Sequence, residues 1–563
     1  MHLRRATRKL LIPAALAAFL AAGFGLERAE RFRSIREALR DPSVPTAMLN
    51  RGSLGRVLRH LRLVRPIVND GRLHPPMEAS KAPLDASLFQ KKRMVGDSLY
   101  VANADWVEDL ATQPELAIPE ALPEQFRAGW PLIAIEVAER DLNGPKWGIF
   151  ANYKGHGREW ERQAAMAYYV DGRQVFATRA GVRLHGGKSR EPGKRHSLRL
   201  HFREEYGATE FQPGLLFDSR CAPLRRLVVH ADWPESHPFA GLLAFDMAER
   251  IGCVVPRTQP VLLVLNGKLQ EGIFWLSEHV SRSAWENRVG HKDFLMHVVK
   301  AQREVKSFPA YHEFCNRVLK TPAPLDLAAF EGLADLDSLS AYVLAVVYGG
   351  VSDGFQGAAI RDQRAAKPRW AWINWDMDHG FWDVYGDGSR KTWQKESWEH
   401  VYKRQGDRNY ALWRNRGDVR SVLFTRLMND SPVYRARFIR YVVDMLNHRL
   451  TVAFMDGRIA HYEQLVRSRG QTDLAFAADY REFVRARPAI LREGLQRLFD
   501  AGPVWRVEVR APAGMPLRID GFEAASPYVG HYFDGQEIVV EAPGVRLAEN
   551  IHGDRVLEVP VAP

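Results

Sequence analysis

Arg369-Trp370-Ala371-Trp372-Ile373-Asn374-Trp375-Asp376-Met377-Asp378-His379-Gly380 sets three tryptophans beside two aspartates. In an extended chain alternate residues share a face. The stretch therefore predicts a strand from Trp370 to Asp378, with Ile373, Trp375 and Met377 packed inward and Asn374, Asp376 and Asp378 together on the other side. Two carboxylates side by side call for a cation, and hard oxygen ligands suit Mg²⁺ or Mn²⁺, above all an ion that also holds substrate phosphates. The bland alternative is a solvated strand end whose aspartates cap the next turn.

Working outward, Leu336 to Val347 reads as a helix ending at Gly349-Gly350, and Asp353 follows in Val351-Ser352-Asp353-Gly354-Phe355. A loop carboxylate there suits the base of phosphoryl transfer, orienting a hydroxyl and taking its proton; Asp-Gly is equally an ordinary turn. Downstream, Val419 to Met428, Pro432 to Ala453 and Asp473 to Phe499 carry helical periodicity, with Ser431 as N-cap and Pro432 at the first helical position. Upstream, Leu132–Val137, Ala167–Val170, Gly181–His185, Ser197–Phe202, Leu227–His230 and Val261–Asn266 read as strands, with a helix from Phe239 to Ile251. Beyond Gly502 alternation returns, as in Val504-Trp505-Arg506-Val507-Glu508-Val509, marking a small all-β module. The class is mixed α+β.

The chain has 563 residues, 46% hydrophobic and 26% charged, which is globular composition and excludes wholesale disorder. Its three cysteines, Cys221, Cys253 and Cys315, lack CxxC spacing and cannot staple a disulfide framework. The net charge of +12 is spread along the chain, so no nucleic-acid partner is expected from it. Arg4, Arg5, Arg8 and Lys9 precede an unbroken apolar run from Leu10 to Leu26, predicting a signal peptide or an amino-terminal membrane anchor over 1–26 and an exported or membrane-anchored, periplasmic or extracellular body. Residues 27–129 read as basic amphipathic helices followed by a proline-rich linker.

Several familiar chemistries are absent from the sequence. The 19 histidines include no His-Glu-x-x-His, and no Gly-x-Ser-x-Gly elbow occurs. Gly181-Val182-Arg183-Leu184-His185-Gly186-Gly187-Lys188-Ser189 imitates a Walker A loop, but the spacing fails and the chain runs on into the strand Ser197–Phe202 instead of a helix. It reads as a glycine turn between two strands, bearing Arg183, Lys188, Lys194, Arg195 and Arg199, a subset of which suits a triphosphate. A solvated basic hairpin is the bland reading.

Taken in order, the segments resemble the spore-coat protein H (CotH) kinase family of divergent protein-kinase-like proteins. The resemblance rests on Trp130-Pro131-Leu132-Ile133, Gly157-Arg158-Glu159-Trp160-Glu161-Arg162, Val182 to Gly187, Ser197-Leu198-Arg199-Leu200, Val264-Leu265-Asn266-Gly267 with Gly272 to Glu278, Asp353-Gly354, and Trp375 to His379. It implies an atypical two-lobed kinase-like fold over 130–500, a β-rich lobe at 130–280 and a helical lobe at 281–500, followed by a β-sandwich-like module at 503–563. It also implies ATP with Mg²⁺ or Mn²⁺ between the lobes and a protein substrate with a Ser or Thr acceptor. By position, Asp353 would be catalytic, Asp376 and Asp378 the metal site, Arg183 and Arg199 phosphate-facing, and Glu278 a charge partner in the nucleotide site.

Two departures bear on activity. Arg195-His196 stands where the family often has a lysine pair, and Ala358 stands where many kinase-like loops place a metal-binding Asn. ATP is also scarce outside the cytoplasm. The resemblance thus carries a second expectation, a catalytically reduced envelope protein using the same fold for assembly or binding, with its β-rich end on cell-surface polymer.

Overall fold

The computed structural model describes residues 130–211, 223–233, 235–299, 308–351, 355–381, 397–403, 418–470 and 472–560, with Leu116 and the segments 93–95 and 98–100. The chain divides into the units Met1–Val101 and Ala102–Pro563. In the first, Arg93–Val95 pairs antiparallel with Ser98–Tyr100; the expected leader and the basic helices after it lie outside the described residues.

The second unit begins with seven strands: β1 Leu132–Val137, β2 Arg162–Val170, β3 Arg173–His185, β4 Ser197–His201, β5 Arg226–Ala231, β6 Thr258–Leu265 and β7 Phe274–Glu278. They pair in the order β7-β5-β4-β3-β2-β1-β6, and β6 also pairs β7, so the sheet closes into a barrel. Only β1 and β6 run parallel. Closure leaves none of the seven with an open edge. Alternation supplies the filling: Ile133, Ile135, Ala164, Met166, Val182, Leu184, Leu198, Leu200, Leu227, Val229, Leu263 and Leu276 share one interior core.

The outer face divides by residue type. On β1, β2 and β6 it is apolar, and Leu132, Ala134, Ala165, Ala167, Leu262 and Val264 join the main core with helix α1, Ala240–Arg250. On β3, β4 and β5 it carries arginines and histidines, and these form the site described below.

After β7 come α2, Arg282–Val289, and a three-stranded sheet of β8 Phe294–Val299, β9 Gly357–Asp362 and β10 Ala371–Asn374. The longer helices among the described residues are α3 Pro309–Lys320, α4 Leu336–Gly349, α5 Val419–Asp430, α6 Pro432–Asp444, α7 Val452–Ser468 and α8 Ala475–Phe499. Ser431 caps α6 as expected, its hydroxyl accepting the Tyr434 N–H at 3.2 Å. The predicted helix from Pro432 to Ala453 is instead broken: a π-helical turn, Met445–Arg449, follows α6, and Thr451 caps a new helix.

The carboxyl-terminal module consists of two sheets, Tyr528–Phe533 with Val504–Arg510 and Arg555–Glu558, and Phe522–Ala524 with Leu517–Ile519, Glu537–Ala542 and Val545–Asn550. It is seated on the π-helical turn. The Asn447 side chain accepts from the His531 backbone N–H at 3.1 Å and donates to its carbonyl at 3.0 Å, and Arg440 pairs with Asp520 at 2.8 Å.

The strand expected from Trp370 to Asp378 stops at Asn374. Asp376 adopts the left-handed region at φ 58°, which ends the two-residue alternation. The residues expected on one inward face part company: Ile373 and Trp375 pack in a small cluster with Ala358, whereas Met377 enters the main core.

Candidate functional site

The register of β3, β4, β5 and β7 builds the basic face row by row. His185 pairs Ser197, and Arg183 pairs Arg199 on the adjacent strand, with Val228 and then Ser277 continuing the second row. Gly181 pairs His201, which pairs Arg226. Rows two residues apart lie roughly 7 Å from each other, so Arg183, Arg199 and Arg226 occupy one small area. The Walker-like segment is confirmed as a hairpin between antiparallel strands.

Beneath this face lies a residue that the motif reading passed over. Glu161, the residue immediately before β2, is fully buried. Its Oε2 accepts Arg183 Nε at 2.8 Å, Arg203 Nε donates to Oε1 at 3.0 Å, and the Tyr206 hydroxyl donates to Oε1 at 3.1 Å. A Cβ at position 181 would stand 2.5 Å from Oε1, so only glycine fits against this carboxylate. The one signal in the sequence is the Glu-Arg pair Glu161-Arg162 ending the Gly157 motif.

Four histidines lie on or beside the same face. Burial and the arginines around it hold His279 down to about 3, burial alone carries His230 to about 4, and His185 and His201 fall well below their ordinary value, chiefly by burial. All four are neutral at pH 7. His279 accepts from Arg199 Nη1 at 2.9 Å, and the His230 ring stacks on Trp275 at 4.1 Å.

The acidic turn meets the segment that leaves β5 and enters α1. Asp232, just past β5, accepts the Phe239 N–H at 2.5 Å and the Trp275 indole N–H at 3.2 Å, fixing the entry into α1. Burial pushes its carboxyl up to about 6. Gly241 in the first turn of α1 stands against Asp378, and the rings of Trp233 and His379 lie 4.8 Å apart. Asp376 is exposed and Asp378 half-buried. Among the described residues no three His, Cys, Asp or Glu gather around a common metal position. Two carboxylates in one turn are nonetheless the protein share expected for Mg²⁺ that completes its shell with phosphates and water.

The remaining residues fall into place separately. Glu278 is held by Arg288 and accepts the Arg257 N–H at 2.9 Å, and along β7 it alternates to the side of Leu276, opposite Ser277. The structure thus brings Arg183 and Arg199 together and sets Glu278 apart from them. Arg195 donates to the Asp232 carbonyl at 2.7 Å and pairs with Glu235, and the His196 ring packs 4.5 Å from Phe150. Ala358 is buried in β9 opposite Ile373. Asp353 lies outside the described residues.

A family model described as CotH kinase protein matches residues 182–491, more than half of the chain. No curated protein matches it.

Proposed function

Because the chain belongs to the CotH kinase protein family, we propose that it is an exported or membrane-anchored phosphotransferase that moves the ATP γ-phosphoryl group to Ser or Thr of a protein. The observation that supports this reading is the contact of Trp233 and Gly241, which follow β5, with the turn bearing Asp376 and Asp378, while Arg183 and Arg199 stand opposite each other on the outer face of the same barrel. In this reading the barrel and the helical body are the two lobes of a kinase-like fold, and the nucleotide lies between them.

Asp376 and Asp378 would hold Mg²⁺ or Mn²⁺, whose chemistry when bound is to neutralise the phosphate oxygens. Arg183, fixed by Glu161, and Arg199 orient the phosphate chain by charge-assisted hydrogen bonds. Asp353 takes the proton of the acceptor hydroxyl. The neutral histidines add donors without adding charge.

Titration of the full chain with ATP tests this. Binding that requires Mg²⁺ or Mn²⁺, and that falls in Asp376→Asn and Asp378→Asn, is the expected result; metal-independent binding in both variants counts against the metal site. The burial of Ala358 and the engagement of Arg195 with Asp232 and Glu235 favour a second reading, a binding module with reduced catalysis. That reading expects ATP binding without transfer.

A further inference from the structure

We propose that Arg487 and Phe381 are positioning residues for the acidic turn, acting from α8 and at the end of α4 to hold Asp376 and Asp378 in place for a metal ion. The proposal rests on the phosphotransferase reading in taking those two aspartates as the metal ligands.

The backbone of the turn is strained at both ends. Asp376 at its start and Phe381 at its close adopt the left-handed region, at φ 58° and φ 65°. A bulky side chain persists in that region only where its surroundings over-determine it. For Phe381 they do: it is buried, its N–H donates to the Gly349 carbonyl at 2.8 Å, and its ring lies 5.0 Å from Phe483 and 6.2 Å from Tyr480. Gly349 is the last residue of α4, so the acidic turn closes on a helix end.

Arg487 fixes that helix end. It is fully buried, its Nε donates to the Tyr348 carbonyl at 2.9 Å, and its Nη2 donates to the Ser397 hydroxyl at 2.5 Å and also to the Val347 carbonyl. Carbonyls in the last turn of a helix lack partners within it and form the negative end of its dipole, and a guanidinium satisfies both needs. The next carbonyl along, Gly349, is the one that Phe381 takes. Tyr480, Phe483 and Arg487 are spaced three and four residues apart and so share one face of α8. That face also holds the segment that touches the turn: the Tyr480 hydroxyl donates to the His237 carbonyl at 2.8 Å. His237 lies in the chain between Trp233, which meets His379, and Gly241, which meets Asp378. One helix therefore supports both the residue that closes the turn and the segment packed against it.

Arg487→Lys keeps the charge and loses the forked grip on two carbonyls and a hydroxyl, and Phe381→Leu keeps an apolar side chain and loses the ring contacts. Each is expected to weaken binding of Mn²⁺ with ATP about tenfold, the scale on which groups supporting metal ligands act. Leu495→Ala, at an equally buried position about two turns further along α8, should lower the thermal midpoint and leave that binding unchanged. In the Asp376→Asn background either variant should cost little more, because a residue that acts through the turn then has nothing left to position. Electron paramagnetic resonance titration of the full chain with Mn²⁺ and ATP, with thermal unfolding of each variant alongside, reads these outcomes. Wild-type affinity in Arg487→Lys or Phe381→Leu, equal weakening in Leu495→Ala, or a loss that adds in full to that of Asp376→Asn overturns the positioning role and leaves the phosphotransferase reading standing. Should Arg487→Lys fail to fold, Phe381→Leu and its double variant with Asp376→Asn decide alone. A wild type that binds no Mn²⁺ with ATP overturns the metal site and the positioning role with it.

Discussion

The rings of Trp233 and His379 lie 4.8 Å apart, so the segment leaving the arginine-bearing strand touches the turn that carries both candidate metal-binding aspartates. Removing that ring should loosen the turn without unfolding the barrel. Trp233→Ala is expected to cost about 1 kcal/mol of stability, the scale of one aromatic pair, and to weaken Mn²⁺-dependent ATP binding several-fold. Chemical denaturation and a Mn²⁺ titration measured together check it; unchanged affinity would detach the turn from the site.

Gly181→Ala places a methyl 2.5 Å from a Glu161 oxygen that two arginines and a tyrosine already hold. Neither side can yield cheaply, so the variant should lose about 2–3 kcal/mol, as overpacked cores do. Urea unfolding reads the loss directly. A change below about 0.5 kcal/mol, the size of an ordinary surface substitution, would show the carboxylate to be mobile.

Glu161→Gln keeps the shape and removes the charge. Arg183 and Arg203 would then face each other unneutralised, at a cost of about 3 kcal/mol, the low end for a broken buried pair because the Arg203 side chain is 24% exposed. Thermal unfolding at low and high salt should show the deficit shrinking as salt screens the arginines.

Acid should destabilise the protein through its buried histidines. Their folded-state values lie below the unfolded value of about 6.5, so the unfolded chain takes up protons first and stability present above that pH is lost as pH falls toward the folded values of about 4 for His230 and about 3 for His279. Asp232 and Asp444 work against this, since burial lifts both to about 6 and the folded state protonates ahead of the unfolded one. With His185 and His201 also depressed, four histidines outweigh two carboxyls. The melting temperature should therefore drop between pH 6.5 and 4, and His230→Gln should flatten the slope; a flat profile in wild type would contradict the burial of this face.

Some of this was legible residue by residue. Leu132–Val137 appears with its expected bounds because it is a short apolar run, buried on both faces, that begins directly after Pro131, and Ser431-Pro432 starts α6 because a cap and a fixed φ are local chemistry. β3 begins eight residues before the expected Gly181, where polar Arg173, Gln174, Thr178 and Arg179 flank the short apolar stretch Val175-Phe176-Ala177. Barrel closure depends on β6 meeting both β1 and β7, pairings that no local pattern encodes. The acidic stretch misled for the opposite reason: its alternation is real in sequence, but the left-handed Asp376 ends the strand. Glu161 escaped notice because its importance lies in register, opposite a glycine that has no side chain to announce the contact.

The central claim is phosphoryl transfer by this family member, and the most direct measurement is transfer of label from γ-labelled ATP to Ser or Thr of protein by the full chain with Mg²⁺ or Mn²⁺. Label incorporated by wild type and reduced about a hundredfold or more in Asp353→Asn and Asp376→Asn is the predicted result, on the scale of a lost acid–base group. No incorporation by wild type with either metal, across envelope and coat proteins offered as acceptors, would contradict it.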